Sequence, residues 1–176
     1  MNSDPASSSP PDRLPLPEEA ARVLVRRLAA QHQTIATAES CTGGMIAESL
    51  TRIPGASAVF GFGWVTYANE AKHALLGVPW DVLNEFGAVS EQTVRAMAAG
   101  ARERADADYA VAVSGIAGPD GGSPEKPVGT VWIAWARRDG FVHAERLVHP
   151  LPRQEFRAMV AAYALMSPFL GEAADA

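Results

Sequence analysis

The chain has 176 residues, of which 48% are hydrophobic and 20% are charged, with a formal net charge of −5. This balance predicts one globular domain with its own core, and the acidic charge excludes a nucleic-acid binder that relies on a broad basic face. No apolar run approaches the roughly 18 residues of a membrane span, there is no signal-peptide core, and the single cysteine, Cys41, excludes an internal disulfide and a cysteine-based zinc cluster. We therefore expect a cytoplasmic protein without direct nucleic-acid or membrane contacts.

Residues 1–15 are rich in proline and serine and poor in apolar side chains. Such a segment cannot bury enough apolar surface to offset its ordering entropy, so we predict a disordered tail there and a folded domain over 16–172. The first element of that domain is a helix that begins near Pro17, with acidic residues in its first turn, where the helix dipole favours them.

The stretch TIATAESCTGGMIAESL, residues 34–50, is typical of a strand, a tight turn and a helix. The first N–H groups of such a helix have no intrahelical partner, and its dipole is positive there, so the junction suits small polar side chains and an anionic ligand. Ser40 stands at this turn. It is either a nucleophile, which then needs a base, or an N-cap beside glycines that allow close packing.

The next strand is predicted over 58–67 and is interrupted by two glycines. Asn69 is the predicted N-cap of a short helix that runs to Leu76. Tyr67 and Lys72 therefore bracket a strand end and a first helical turn, from which side chains reach a site above the edge of a sheet.

Two further helices are predicted over 80–86 and from Ser90, the N-cap of a sequence similar to a capping box, to about residue 104. The apolar run over 108–117 is typical of a strand buried on both faces. It leads into a glycine-rich loop, 118–123, which either holds a phosphate or carboxylate on its backbone N–H groups or is a plain connection.

The last elements are strands over 128–136 and 141–149, joined by an Asp-Gly hairpin signal, and a helix over 153–170. Helices that alternate with strands predict a three-layer α/β/α sandwich on a mixed, mostly parallel sheet of about five strands. Ligands bind such folds at the carboxyl ends of the central strands, so we expect the loops after Ala38, Tyr67 and Val113 to meet at the site.

Four blocks of this chain, in the same order, resemble the C-terminal domain of the CinA (competence/damage-inducible) family. They are TAESCTGG at 37–44, VTYANEAK at 65–72, GAVSE at 87–91 and SGIAGPDGGSPEKPVGTVW at 114–132. Stand-alone members of that family are nicotinamide mononucleotide amidohydrolases, and the resemblance extends over roughly residues 18–170. It implies hydrolysis of the substrate carboxamide to nicotinic acid mononucleotide and ammonia, without a metal or cofactor, in pyridine nucleotide salvage.

The resemblance assigns the catalytic serine to Ser40, the lysine to Lys72 and an assisting tyrosine to Tyr67. Two departures stand out. Ala68 replaces the serine that many relatives have in YSNEAK, and Leu-Pro precedes Arg153 where relatives often have Gly-Asp.

An amide hydrolase needs a nucleophile, a base that later protonates the departing ammonia, and an oxyanion site. We expect Lys72, kept neutral by desolvation and a nearby helix end, to take the Ser40 proton, directly or through Tyr67. Cys41 is the weaker candidate nucleophile, because no histidine follows at a suggestive position. The candidate oxyanion donors are the backbone N–H groups of Cys41, Thr42, Gly43 and Gly44.

Arg153 and Arg157, one helical turn apart, are candidate phosphate ligands, although charged residues on a last helix usually form only a solvated face. The further predicted substrate contacts are Asn69, Ser114, Gly115 and Gly118. The four histidines lack metal-ligand spacing, so we predict no metal site. The apolar Trp132 and Trp135 and the hairpin edge suggest a homodimer.

Two other functions fit the same sequence. One is a protein-binding module in DNA uptake or the damage response, with the pocket retained or idle. The other is an amidase that acts on a different substrate.

Overall fold

The computed structural model describes residues 14–166. The predicted tail, up to residue 13, and the predicted domain end, from residue 167, lie outside this range. The helices are α1 (Pro17–Gln31), α2 (Met45–Thr51), α3 (Asn69–Leu76), α4 (Trp80–Phe86), α5 (Glu91–Ala105) and α6 (Arg153–Leu165), with a 3-10 turn at Ala56–Ala58. The strands are β1 (Ile35–Glu39), β2 (Phe60–Val65), β3 (Tyr109–Gly115), β4 (Thr130–Arg137) and β5 (Val142–Val148). No helix over 14–166 is long and apolar enough to cross a membrane.

The strands form one sheet in the order β2-β1-β3-β4-β5. β1 pairs in parallel with both β2 and β3, whereas β4 runs antiparallel to its neighbours β3 and β5. Four of the five strands therefore point the same way, which confirms the predicted mixed, mostly parallel sheet. The predicted hairpin is the connection between β4 and β5, where the Arg137 N–H donates to the Phe141 carbonyl.

The two faces of the sheet differ in side-chain size. Because successive strand residues point to opposite faces, the central strands present alanines to one side and larger apolar residues to the other. The alanine face packs on α3, α4 and α5, and consists of Ala36, Ala38, Ala110, Ala112, Ala134 and Ala136. The opposite face packs on α1, α2 and α6, and includes Ile35, Val111, Val113, Ile133 and Trp135. The result is the predicted three-layer sandwich.

The α3 helix, which carries Lys72, lies close against α5. A Cβ atom on Gly100 of α5 would lie 2.0 Å from the Leu76 carbonyl oxygen, so only glycine permits this approach. Arg104 adds a hydrogen bond of 2.7 Å from Nη1 to the same oxygen. The position of α3 relative to the sheet is therefore set by backbone contact.

Three sequence-based details are wrong. Asn69 is the first residue of α3, and Ala68, which has no capping side chain, is its N-cap. The α6 helix ends at Leu165, earlier than predicted, with Met166 as its C-cap. Trp135 is buried within the sandwich, where its Nε1 donates to the Ala164 carbonyl at 2.8 Å, so it does not form part of an exposed dimer face.

Candidate active site

The loops at the carboxyl ends of β1, β2 and β3 meet around a small cavity of about 180 Å³. Parallel neighbours deliver their following loops to the same edge of a sheet, as expected for this topology. The residues that line the cavity are Ser40, Cys41, Tyr67, Lys72, Ala88, Val89, Ser114, Gly115, Ala117 and Arg153.

Ser40 and Lys72 form a buried pair in this cavity. The Ser40 N–H donates to the Val113 carbonyl at 3.1 Å, which ties the turn after β1 to β3. Lys72 lies in the first turn of α3, and helical side chains lean toward the N-terminus, so its amine returns to the sheet edge. Its Nζ lies 3.2 Å from Ser40 Oγ.

The surroundings of the Lys72 amine make it easier to deprotonate than the amine of a solvent-exposed lysine. Lys72 is fully buried, and desolvation lowers the pKa of its amine from 10.5 to about 8. The carbonyls of Thr66 and Tyr67 accept hydrogen bonds from Nζ at 2.8 and 3.2 Å. A neutral amine has two hydrogens, which these carbonyls take, and its lone pair is then left for the Ser40 hydroxyl.

The buried carboxylate of Glu39 occupies the N-terminus of α2. Its Oε2 accepts from Thr42 Oγ1 at 2.6 Å and from the Gly44 and Ile46 N–H groups at 3.0 Å each, and its Oε1 accepts from the Ala47 N–H at 2.8 Å. The anion predicted for this helix end is thus supplied by the protein itself, one residue before Ser40.

The predicted oxyanion donors divide into two groups. The Gly43 N–H donates to the Ser40 carbonyl at 3.1 Å and the Gly44 N–H to Glu39, so these two amides have internal acceptors and that part of the prediction is wrong. Within residues 14–166, the amides of Cys41 and Thr42 donate to no other residue. Thr42 is fully buried and does not line the cavity, whereas Cys41 does, so the Cys41 amide is the remaining candidate.

The Cys41 thiol is poorly suited to nucleophilic attack. Cys41 is 4% exposed, and burial raises the pKa of its thiol from 9.0 to about 12. Since the thiolate is the reactive form, the thiol beside Ser40 is inert at neutral pH.

Tyr67 contributes its backbone and its ring to different contacts. Its carbonyl binds Lys72, whereas its ring is 64% exposed and its hydroxyl lies 3.4 Å from Nη2 of Arg153. Arg153 is exposed at the cavity wall, and its Nη1 donates to the Gly118 carbonyl at 2.7 Å. Tyr67 and Arg153 together form one side of the entrance.

Arg157 does not line the cavity, contrary to its predicted role as a phosphate ligand. Its Nε donates to the Cys41 carbonyl at 3.2 Å, its Nη2 to the Thr42 carbonyl at 2.7 Å, and its Nη1 to Gln154 at 3.0 Å. The guanidinium is therefore bound to the turn that follows Ser40.

The other predicted contacts are only partly at the cavity. Ser114 and Gly115, at the end of β3, line it, and Gly118 contributes the carbonyl that holds Arg153. Asn69, Thr42, Gly43 and Gly44 are not among the lining residues.

Several residues of this region were missed from the sequence. They are Glu39, Thr66, Ala88, Val89 and Ala117. Glu39 had a usable signal, because a carboxylate at the end of a buried strand and directly before a helix N-terminus has strong donors within reach. The others carry no chemical signal, since they contribute a carbonyl or apolar surface.

Fold and site together define an α/β/α sandwich protein with a buried serine–lysine pair at the carboxyl edge of its sheet. The chain belongs to the family of the CinA C-terminal domain, whose model matches residues 17–168. The resemblance noted in the four sequence blocks is thereby confirmed.

Individual relatives extend this comparison. The nicotinamide-nucleotide amidohydrolase PncC of Escherichia coli strain K12 is 52% identical over 140 residues, which are 80% of this chain and 85% of the relative. A CinA-like protein of Akkermansia muciniphila is 60% identical over 144 residues, 82% of this chain and 35% of the relative. The crystal structure of the competence/damage inducible protein CihA from Agrobacterium tumefaciens has a TM-score of 0.83 at 46% identity and covers 91% of this chain and 95% of its own.

The lengths of these relatives differ. The chain spans about a third of the length of the CinA-like and competence-damage inducible relatives that it matches. It spans 85% of the Escherichia coli amidohydrolase.

Proposed function

We propose that this protein hydrolyses the carboxamide of nicotinamide mononucleotide to nicotinic acid mononucleotide and ammonia, in pyridine nucleotide salvage. The observation that carries the proposal is the distance of 3.2 Å between Ser40 Oγ and the Nζ of a fully buried Lys72, whose pKa is lowered to about 8. The name of the Escherichia coli relative, a nicotinamide-nucleotide amidohydrolase, supports the choice of substrate.

The first step is acylation of Ser40. The neutral Lys72 amine accepts the hydroxyl proton while Ser40 Oγ bonds to the carboxamide carbon. The resulting oxyanion is stabilised by the N–H group of Cys41, a residue that lines the cavity. The C–N bond then breaks, and the proton held by Lys72 passes to the departing nitrogen, which leaves as ammonia.

The second step is hydrolysis of the Ser40 ester. Lys72, neutral again, takes a proton from a water molecule whose oxygen attacks the ester carbonyl. The same Cys41 amide stabilises the second oxyanion. Collapse of this intermediate breaks the ester bond, returns the proton to Ser40 Oγ and releases the carboxylic acid.

Tyr67 and Arg153 act at the entrance. A cavity of about 180 Å³ suits the carboxamide and pyridine ring of the substrate, so the ribose phosphate extends toward the entrance. Arg153 is the cation at that position, and a guanidinium binds phosphate in bidentate fashion. The Tyr67 hydroxyl, 3.4 Å from Arg153, assists by orienting this group and the substrate.

The test is ammonia release from nicotinamide mononucleotide, nicotinamide riboside and nicotinamide by the purified protein. We expect the mononucleotide to be the best substrate. Ser40→Ala and Lys72→Ala should each reduce kcat by at least about 10³-fold, because each removes one half of the nucleophile–base pair. Ser57→Ala, an exposed serine outside the cavity, is the matched control and should retain wild-type activity.

The outcome also separates the alternative functions. If the wild type and both variants release ammonia equally slowly from every substrate, the proposal is wrong and a protein-binding module is favoured. Rapid release from a compound other than the mononucleotide would keep the mechanism and change the substrate.

A further inference from the structure

The Cys41 and Thr42 amides, which donate to no other residue within 14–166, belong to peptide units whose direction is set elsewhere. In a planar peptide unit the C=O and the following N–H point in opposite directions, so fixing one fixes the other. The Thr42 N–H shares its unit with the Cys41 carbonyl, and the Cys41 N–H shares its unit with the Ser40 carbonyl. The partners of these two carbonyls therefore decide where the two amides point.

Arg157 fixes the peptide unit between Cys41 and Thr42 directly and the unit between Ser40 and Cys41 indirectly. Its Nε donates directly to the Cys41 carbonyl at 3.2 Å, which orients the Thr42 N–H. Its Nη2 donates to the Thr42 carbonyl at 2.7 Å, and the Gly43 N–H of that same peptide unit donates to the Ser40 carbonyl at 3.1 Å. The second contact therefore fixes the Cys41 N–H indirectly. The Gly43 N–H holds the Ser40 carbonyl, and this carbonyl shares a planar peptide unit with the Cys41 N–H.

The Arg157 guanidinium is itself held in place by its surroundings. The residue is half-buried on α6, and Gln154 one turn earlier accepts from its third nitrogen at 3.0 Å. Gly43 has a φ of +60°, and a Cβ atom there would lie 3.2 Å from Nη2 of Arg157, so the turn and the guanidinium are closely fitted. The planar guanidinium reaches the two carbonyls from two separate nitrogens, Nε and Nη2, a geometry that the single nitrogen of a lysine does not reproduce.

We propose that Arg157 is a positioning residue that fixes the turn after Ser40 and so aligns the Cys41 amide as the donor of an oxyanion hole. The inference rests on the proposed amide hydrolysis and assigns to the guanidinium a role in transition-state stabilisation instead of substrate binding. Arg157 acts through the backbone and does not touch the substrate.

The experiment compares Arg157→Lys with Gln154→Ala, which removes the third contact of the guanidinium and leaves both carbonyl contacts in place. Steady-state kinetics with nicotinamide mononucleotide should show a 10- to 100-fold lower kcat for Arg157→Lys, by comparison with the roughly 10²- to 10³-fold loss when one oxyanion donor is removed. Its KM should stay within about threefold of the wild-type value. Gln154→Ala should keep both parameters near wild type.

A second readout separates alignment from general damage to the fold. In an analogue of the mononucleotide with a boronic acid in place of the carboxamide, boron accepts Ser40 Oγ and becomes tetrahedral. The affinity of Arg157→Lys for this analogue should fall in proportion to kcat, whereas its affinity for nicotinic acid mononucleotide should not change. Thermal unfolding of each variant checks that the protein is folded.

Three results overturn the inference. An unchanged kcat in Arg157→Lys shows that the alignment of the Cys41 amide does not depend on the guanidinium. An equal loss of affinity for the boronic acid analogue and for nicotinic acid mononucleotide shows a general structural role. If the wild type releases no ammonia from any of the three amides, the proposed function itself fails and the inference falls with it, an outcome that the wild-type assay alone identifies.

Discussion

Ser40 Oγ and Lys72 Nζ lie 3.2 Å apart although 32 positions separate the two residues in the chain. They meet because β1 and β2 are parallel neighbours and each is followed at the same edge of the sheet by a loop and a helix. Within residues 14–166 the buried amine has no carboxylate partner, and its hydrogen bonds run to Thr66, Tyr67 and Ser40. An amine in this setting is easily deprotonated, and several measurable properties depend on that.

The pH dependence of catalysis should report the Lys72 amine. Its pKa is lowered to about 8 by desolvation, and only the neutral amine accepts the Ser40 proton. We expect kcat/KM for nicotinamide mononucleotide to rise about tenfold per pH unit below about pH 8 and to level off above it. A profile that is flat between pH 6 and 9 would rule out Lys72 as the base.

The stability of the folded protein should depend on pH through the same group. Between pH 8 and 10.5 the unfolded chain binds a proton at Lys72 that the folded chain has released, so the free energy of unfolding rises with pH across this window. At about 1.4 kcal/mol per pH unit, wild type should gain about 3 kcal/mol relative to Lys72→Met between pH 7 and 11. Urea unfolding of both proteins at several pH values measures this difference. A constant difference would contradict the lowered pKa.

Replacement of Glu39 by glutamine should destabilise the protein. The Glu39 carboxylate accepts from Thr42 Oγ1 and from three N–H groups at the start of α2. In the glutamine variant an NH₂ group replaces one carboxylate oxygen, and this group faces hydrogen-bond donors from which it cannot accept. We expect the free energy of unfolding to fall by about 2–4 kcal/mol, since hydrogen bonds to buried charges are strong and an unpaired donor is costly.

Glu48→Gln is the matched control for this substitution. Glu48 lies on the same helix but is exposed and paired with Arg52, and such surface pairs contribute little, so the change should stay within about 0.5 kcal/mol. Equal effects of the two substitutions in urea unfolding would show that the Glu39 contacts are not what stabilises the turn.

Removal of the Arg153 side chain should affect the phosphate-bearing substrate selectively. Arg153→Ala should raise KM for nicotinamide mononucleotide about 10- to 100-fold, the effect of one charge-assisted hydrogen bond, and leave KM for nicotinamide riboside unchanged. Arg22→Ala, which removes an exposed arginine on α1, is the control. A similar rise in KM for both substrates would show that Arg153 shapes the entrance and does not bind the phosphate.

The Cys41 thiol should be unreactive in the folded protein. It is buried and its pKa is raised to about 12, so the thiolate is scarce and inaccessible at pH 7. A colorimetric disulfide reagent should label it only after denaturation. Rapid labelling of the folded protein, with loss of ammonia release, would reopen Cys41 as the nucleophile.

The elements that repeat a simple pattern were predictable from the sequence. The strand, turn and helix around Ser40, the buried β3 and the Asp-Gly hairpin between β4 and β5 follow from local hydrophobic periodicity and turn residues. The helix at Asn69 was predicted, but its N-cap was not, because the helix begins at Asn69 itself and the residue before it, Ala68, has no capping side chain.

The use of individual donors and acceptors was not predictable in the same way. Arg153 and Arg157 stand one turn apart on α6 and look alike in the sequence, yet one reaches the cavity and the other binds the carbonyls of Cys41 and Thr42. Trp135 looked like an exposed partner of Trp132 but is buried against α6.

The sequence by itself determined the order of elements, the three-layer sandwich, and the segments that hold the serine, the lysine and the tyrosine, because these depend on local periodicity and on motifs of adjacent residues. Only the tertiary structure decided that Glu39 occupies the start of α2, that the Cys41 and Thr42 amides donate to no other residue within 14–166, and that Arg157 binds the carbonyls of this turn. The physical reason is that hydrogen bonds between distant segments depend on distances of a few ångström, which are set by how helices pack on the sheet.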